Sequence, residues 1–126
     1  MRVLLDTATF LWAVSSPERI SSRAKSVLAG QGTVREISVI SLSEIAIKQA
    51  RGKLSFDKDD LGRGVADLRL KVLPYTERHA YRLFELPLHH ADPFDRQIIA
   101  QALAENIPVV TSDAAFNLYR DLKVSW

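Results

Sequence analysis

Four acidic residues of this chain, Asp6, Glu44, Asp95 and Asp113, lie far apart in sequence yet occupy one kind of place. Each ends a short apolar run or sits just past one, where the chain should turn or begin a helix. Asp6 closes Val3-Leu4-Leu5, and Glu44 follows the run 37–41 by a few residues. Asp95 opens the helical stretch 98–105, and Asp113 closes 107–112. In an open parallel α/β sheet the carboxyl ends of the strands share one edge, and sites form along it. Acids scattered in sequence then converge on one cleft. Several carboxylates in one cleft repel each other unless a cation sits among them, and an all-oxygen donor set suits Mg2+ or Mn2+. The chemistry to expect is metal-assisted attack on a phosphate.

The elements that must position these acids alternate along the chain. Residues 3–5 read as a strand and 7–14 as a short helix. Ser21 or Ser22 caps a second helix, which Gly30 stops. Residues 36–41 alternate and are β-branched, so they read as a strand, followed by a helix from Ser43 that ends before Gly52. Residues 54–60 read as a loop, and 62–70 as a weak helix because Gly62 and Gly64 lower its propensity. A short strand at 72–75 precedes an amphipathic helix, 76–86, capped by Thr76. After a loop, 86–93, come a strong helix, 95–106, a buried strand, 107–112, a short helix, 114–120, and a closing strand, 122–126. Strands alternating with helices predict one domain over residues 1–126, a three-layer α/β/α fold with a parallel sheet of about five strands.

Composition sets bounds on this reading. A chain of 126 residues with 47% hydrophobic content suffices for one well-packed core. No run of 18 uncharged apolar residues is present, so no membrane span is expected. The start Met1-Arg2-Val3-Leu4-Leu5 is too short for a signal peptide and reads as the first strand. Zero cysteines exclude disulfides and thiolate metal sites, and a reduced, cytoplasmic protein is the expectation. Net charge is +2, from 17 basic and 15 acidic residues. Without the four acids and Asp92 the count is 17 against 10, a basic body around an acidic pocket. An enzyme acting on a polyanion needs that distribution.

Three of the four acids also have a structural explanation. Ser41-Leu42-Ser43-Glu44 matches a capping box, in which Glu44 would bond back to the Ser41 N–H. Lys48, four residues on, would pair with Glu44 on the helix surface. On this segment alone the capping role stands first. Asp92 suits an N-cap, Pro93 the first helical position and Asp95 the third. Asp113 suits the cap of the helix after it. Asp6 is harder to explain, because a carboxylate directly after an apolar strand is costly to bury unpaired. Four such placements on one edge favour function.

The remaining polar candidates are weaker. His89 and His90 lack the i, i+4 helical spacing of a zinc pair and read as solvated loop residues, although a place near the site fits them too. His79 reads as structural. Thr7 and Ser112 have hydroxyls that could place a water beside Asp6 and Asp113. Gly62-Arg63-Gly64 follows no strand and lacks the later glycine of a phosphate loop. Phe10, Leu11, Trp12 and Val14 read as core by default, or as a subunit or partner surface near the cleft.

The stretches 4–12, 40–54, 86–105 and 107–113 together resemble the PIN-domain family, specifically VapC-type toxins of type II toxin–antitoxin systems. The similarity covers nearly the whole chain, and the Asp92-Pro93-Phe94-Asp95-Arg96 run and Thr111-Ser112-Asp113 after a strand are its most specific parts. The resemblance implies a PIN fold of sheet order 3-2-1-4-5 and a Mg2+- or Mn2+-dependent endoribonuclease. It also implies a cognate VapB-like antitoxin, encoded nearby, that buries the cleft; a homodimer is expected. It places the family's four acids on Asp6, Glu44, Asp95 and Asp113, with Asp92 a neighbour of less certain role. Asp6, Asp95 and Asp113 would then hold or orient the metal, with Glu44 acting directly or through a water. Lys48, Arg51, Lys53 and Arg96 are candidates for the RNA backbone. Two departures stand out: Ala8 where the family often has His, and Ser43 where it often has an aromatic.

Three rivals fit less well. A receiver-like phosphoacceptor signalling module needs paired acids after the first strand, an acceptor Asp after the third and a Lys after a later one. Here Asp6 stands alone, residues 72–75 hold no Asp, and Thr111-Ser112-Asp113 has no Lys. An Asp-x-Asp phosphatase is opposed by Ala8, and a catalytically dead binding module by the intact four acids.

Overall fold

Successive residues of a strand face opposite sides of a sheet, and Val3 and Leu4 divide the core accordingly. The structure, a computed structural model, describes residues 1–126. The chain runs β1 (Arg2–Leu5), α1 (Thr7–Ser15), α2 (Ser22–Leu28), β2 (Val34–Ser38), α3 (Val39–Ala50), α4 (Lys58–Asp67), β3 (Lys71–Leu73), α5 (Glu77–Arg82), α6 (Pro93–Glu105), β4 (Val109–Val110) and β5 (Val124–Ser125). The five strands lie in the order β3-β2-β1-β4-β5, and every neighbouring pair is parallel. Both the expected topology and the parallel sheet are therefore present.

Leu4 and Val109 pack on one face with Ile98, Ile99 and Ala102 of α6. Val3 and Val110, the adjacent residues, pack on the other with Ile20 and with Ala24 of α2. Phe10, Ile37, Ile45 and Phe56 form a third cluster that seats α1 and α3. Ile98 and Ile99 are fully buried, worth about 1.5–3 kcal/mol each relative to exposure. That contact holds α6, and the acids at its start, against the sheet.

Strand order reverses between β1 and β4: the chain steps outward through β2 and β3, then returns to the other side of β1. Leu5 is the last residue of β1 and pairs with Val110, the last of β4. The carboxyl ends at this switch point leave a crevice between diverging connections. Asp6 and Thr111 are the next residues on either side.

Several element boundaries differ from those read in the sequence. Strand β2 stops at Ser38, whose hydroxyl accepts from the Ile40 N–H and starts α3 there. Ser41 is thus inside the helix and buried, and the expected Ser41–Glu44 capping box does not form. The segment expected as a loop at 54–60 instead opens α4 with a reciprocal Asp57–Asp60 capping box. That box starts a helix that two glycines would otherwise weaken. The expected helix 76–86 is α5 followed by a 3-10 turn at Leu83–Glu85, and the helix expected at 114–120 is a 3-10 turn, Ala114–Leu118. Strand 107–112 pairs only at Val109–Val110.

Candidate active site

Asp6, Glu44, Asp95 and Asp113 line one cleft of about 360 Å³, together with Asp92, Lys48 and Lys53. The convergence expected from the strand ends is met. Each carboxylate is aimed by the element that carries it.

Asp6 follows β1 directly and caps α1, its Oδ1 accepting from the Thr9 N–H at 2.9 Å. This structural role went unread in the sequence. Oδ2 accepts from the Thr111 hydroxyl at 2.6 Å, which ties the ends of β1 and β4 together. Burial pushes the Asp6 pKa up, the hydrogen bonds from Thr111 and Thr9 pull it down, and the charge on Asp113 raises it further.

Glu44 projects from the middle of α3, where its Oε1 accepts from Thr7 Oγ1 at 2.7 Å and its Oε2 from Lys48 Nζ at 2.5 Å. Thr7 Oγ1 also lies 2.8 Å from the Ser41 hydroxyl. A carboxylate can only accept, so the Thr7 proton goes to Glu44 and the Ser41 hydroxyl supplies its own proton to Thr7. Thr7 is buried, lines the cleft and holds Glu44. The bond to Glu44 also raises the Lys48 pKa, so this lysine stays charged.

Asp92 caps α6 as expected, with Oδ1 accepting from the Phe94 and Asp95 N–H groups, and Pro93 stands at the first helical position. Asp95 follows on the first turn and faces the cleft with no hydrogen-bond donor of its own. Burial raises its pKa to about 7, the charges on Asp92, Asp6 and Glu44 add to the shift, and His90 opposes it. Asp113 caps the 3-10 turn after β4, its Oδ1 accepting from the Ala115 N–H at 3.0 Å.

His90, expected as a solvated loop residue, belongs to this cluster. Its Nε2 bonds Asp113 Oδ2 at 2.8 Å and stands 3.1 Å from Asp95 Oδ2. His90, Asp95 and Asp113 bring one ligand-type atom each within 4.8 Å of the others, while Asp6 and Glu44 line the same cleft outside that tight group. The only sequence signal for His90 was its place just before the Asp92 cap. His89 is exposed and packs its ring against Tyr119.

Among the basic candidates, Lys48 and Lys53 line the cleft, whereas Arg51 does not and Arg96 donates to the Pro87 carbonyl. The apolar surface expected of Phe10, Leu11 and Trp12 is smaller than the sequence implied. Phe10 is fully buried and Trp12 packs against Trp126 and under the Arg19 guanidinium, leaving Leu11 at the cleft. Ala8 and Ser112 also line the cleft, and Ser43 is exposed outside it.

The donor chemistry fits a hard divalent cation: five carboxylates face two lysines, and the only side chain paired with Asp95 is His90, whose Nε2 stands 3.1 Å from Oδ2. Proton uptake by Asp95 is the alternative way to relieve the repulsion.

The profile of the PIN domain family matches residues 3–122, and the chain belongs to that family. Solved structures share its fold at low identity. VapBC2 from Rickettsia felis, bound to a DNA fragment from its promoter, is 19% identical with a TM-score of 0.75, over 98% of this chain and 97% of that one. VapBC-1 from nontypeable Haemophilus influenzae is 23% identical with a TM-score of 0.70, over 98% and 96%. VapBC-5 from Mycobacterium tuberculosis, described as a member of the VapBC family of toxin–antitoxin systems, is 18% identical with a TM-score of 0.63, over 98% and 96%. No protein of curated function matches the chain. No helix is long and apolar enough to cross a membrane.

Proposed function

We propose that this chain is a VapC-type toxin, a metal-dependent endoribonuclease that hydrolyses RNA phosphodiester bonds in the cleft at the β1/β4 switch point. One observation carries the reading: four carboxylates from four distant segments meet in one cleft, with two lysines beside them. A cleft with that charge suits a divalent cation, which would offset the repulsion among its carboxylates. The VapBC structures among the relatives, one described as a member of a family of toxin–antitoxin systems, support the toxin assignment.

Asp95 and Asp113 would hold the cation, with Asp6 and Glu44 lining the same cleft beside them. Mg2+ or Mn2+, when bound, supplies charge that lowers the pKa of a water and offsets charge gathering on the phosphoryl oxygens. Asp6 is fixed by Thr9 and Thr111, so it enters the site already oriented. Thr7 and Lys48 fix Glu44, so it too enters the site already oriented. Lys48 and Lys53 stand at the cleft to hold an RNA phosphate by charge.

A VapB-like antitoxin as partner, a homodimer and a cytoplasmic location belong to the same reading. Cleavage of structured RNAs by purified protein in Mg2+ or Mn2+ tests it, with EDTA and Asp95→Asn as controls. Activity should vanish in EDTA and fall about a thousandfold in the variant, the several kcal/mol that a metal centre contributes. Equal cleavage in EDTA would refute the metal, and no cleavage of any RNA would refute the nuclease.

A further inference from the structure

His90 touches two acids of the proposed metal site, and its backbone surroundings restrict what it can do there. Its Nδ1 accepts from the Asp92 N–H at 3.1 Å, so Nδ1 carries no proton in this arrangement. The proton of a neutral ring is then on Nε2, which faces Asp113 Oδ2 at 2.8 Å. To ligate a cation through Nε2, the ring would have to move its proton to Nδ1. Two donors would then face each other at Asp92, and a backbone hydrogen bond at the start of α6 would be lost.

The ring has little freedom to escape this constraint. It forms a T-shaped pair with the Phe116 ring, centroids 5.6 Å apart and planes at 90°, and the His90 N–H donates to the Tyr119 hydroxyl, which donates in turn to the Pro87 carbonyl. The side chain is 13% exposed. Asp113 meanwhile has one oxygen committed to the Ala115 N–H and the other to His90. Asp113 is the most exposed of the four acids, at 40% of its side chain, so it is the one that most needs a partner to hold it in place.

We propose that His90 is a positioning residue, held as an Nε2–H donor by the Asp92 N–H, which orients Asp113 toward Asp95 for the cation and does not itself ligate it. This rests on the metal reading above and adds to it an outer donor, where the sequence offered only a place near the site. The same arrangement recurs away from the cleft, where His79 accepts from the Thr76 N–H through Nδ1 and meets Glu105 through Nε2 at 2.9 Å. There it only braces α5 against α6; at the cleft the carboxylate it braces faces the site.

The test combines spectroscopy with two substitutions. In 15N-histidine-labelled wild-type protein, His90 should show the Nε2–H tautomer both without metal and with Mg2+, its signal assigned by its absence in His90→Gln. Mn2+ bound to the wild type should show no imidazole nitrogen coupling in pulsed electron paramagnetic resonance. Mn2+ affinity should fall 10–100-fold in His90→Ala, as loss of an outer-shell partner does. His90→Gln, whose amide keeps an N–H near the Nε2 position, should stay within about threefold of wild type. An imidazole coupling, an Nδ1–H tautomer, or affinity that is unchanged in His90→Ala or equally lost in both variants would each overturn the proposal. The wild-type electron paramagnetic resonance spectrum decides it even if a variant fails to fold. A wild-type chain that takes up no Mn2+ removes the metal reading and this proposal together, whereas normal uptake with an insensitive His90→Ala removes only this proposal.

Discussion

Asp95 is the one acid of the cleft without a donor fixed on it, and its titration should dominate the response to pH. Its folded-state pKa is raised to about 7 by burial first and by neighbouring carboxylates second. In the metal-free protein, the stability from its protonation is present below the ordinary carboxylate range and lost as pH rises through 7. Metal binding runs the other way, because the cation needs the anion. Apparent Mn2+ affinity should therefore rise about tenfold between pH 6 and pH 8, the change in ionised fraction for a pKa near 7. Calorimetric titration at fixed ionic strength checks this, and a flat affinity would mean that Asp95 ionises well below neutrality. Glu44 makes a second residue-scale prediction. No cap depends on it, and Gln keeps an oxygen for Thr7, so Glu44→Gln should change stability by about 1 kcal/mol or less. RNA cleavage should nevertheless drop at least ~100-fold, worth about 3 kcal/mol. Unchanged cleavage would remove Glu44 from the mechanism.

At the scale of elements, α4 shows how a weak helix becomes a fixed one. Gly62 and Gly64 lie two residues apart in it and face different surroundings. A Cβ at Gly62 would meet nothing within 4 Å, whereas one at Gly64 would lie 2.9 Å from Val14 Cγ2 and 3.0 Å from Phe10 Cζ. Gly62→Ala should therefore stabilise the protein by about 0.5–1 kcal/mol, the helix-propensity gain alone. Gly64→Ala gains the same propensity but must push a fully buried Phe10 ring, and overpacking costs about 1–3 kcal/mol. Denaturant melts of the pair should shift in opposite directions; equal shifts would mean that α1 yields freely. The start of α3 shows a similar competition. Residues 39–41 are β-branched in part and read as strand, yet Ser38 caps the helix before them and Ser41 bonds Thr7. Tertiary contacts decide between two local preferences of similar strength.

For the whole molecule, the proposed function makes predictions that join folding, metal and partner. Four carboxylates that repel in the metal-free state predict a rise in Tm on adding millimolar Mn2+ or Mg2+, and loss of most of that rise in Asp95→Asn. Expressed alone, the chain should arrest growth, and a VapB-like neighbour should restore it. Asp6→Asn should abolish the arrest without unfolding the chain, since Asn caps a helix as well as Asp, and should still co-purify with the neighbour. An innocuous wild-type chain, or two proteins that do not associate, would refute the toxin reading.

Local chemistry was legible in the sequence wherever it acts within a turn of chain. Asp92-Pro93-Phe94-Asp95 specified a cap, a first helical residue and a third, and these stand as read. Apolar runs separated by amphipathic stretches likewise announced strands and helices in alternation, and with them an edge where Asp6 and Asp113 meet. Only the tertiary structure decided which donors reach each acid. Thr111 reaches Asp6 across 105 residues, Thr7 reaches Glu44 across 37 and His90 reaches Asp113 across 23. Such pairs carry no periodic signal, because they depend on β1 lying beside β4 and on how far α3 and α6 tilt toward that edge. Phe10 read as core by default, yet nothing nearby in sequence shows that Ile37, Ile45 and Phe56 are the residues that close over it. Sequence determines the elements through short-range propensity and patterning, whereas the protonation and aim of each carboxylate depend on neighbours that only folding brings within hydrogen-bond range.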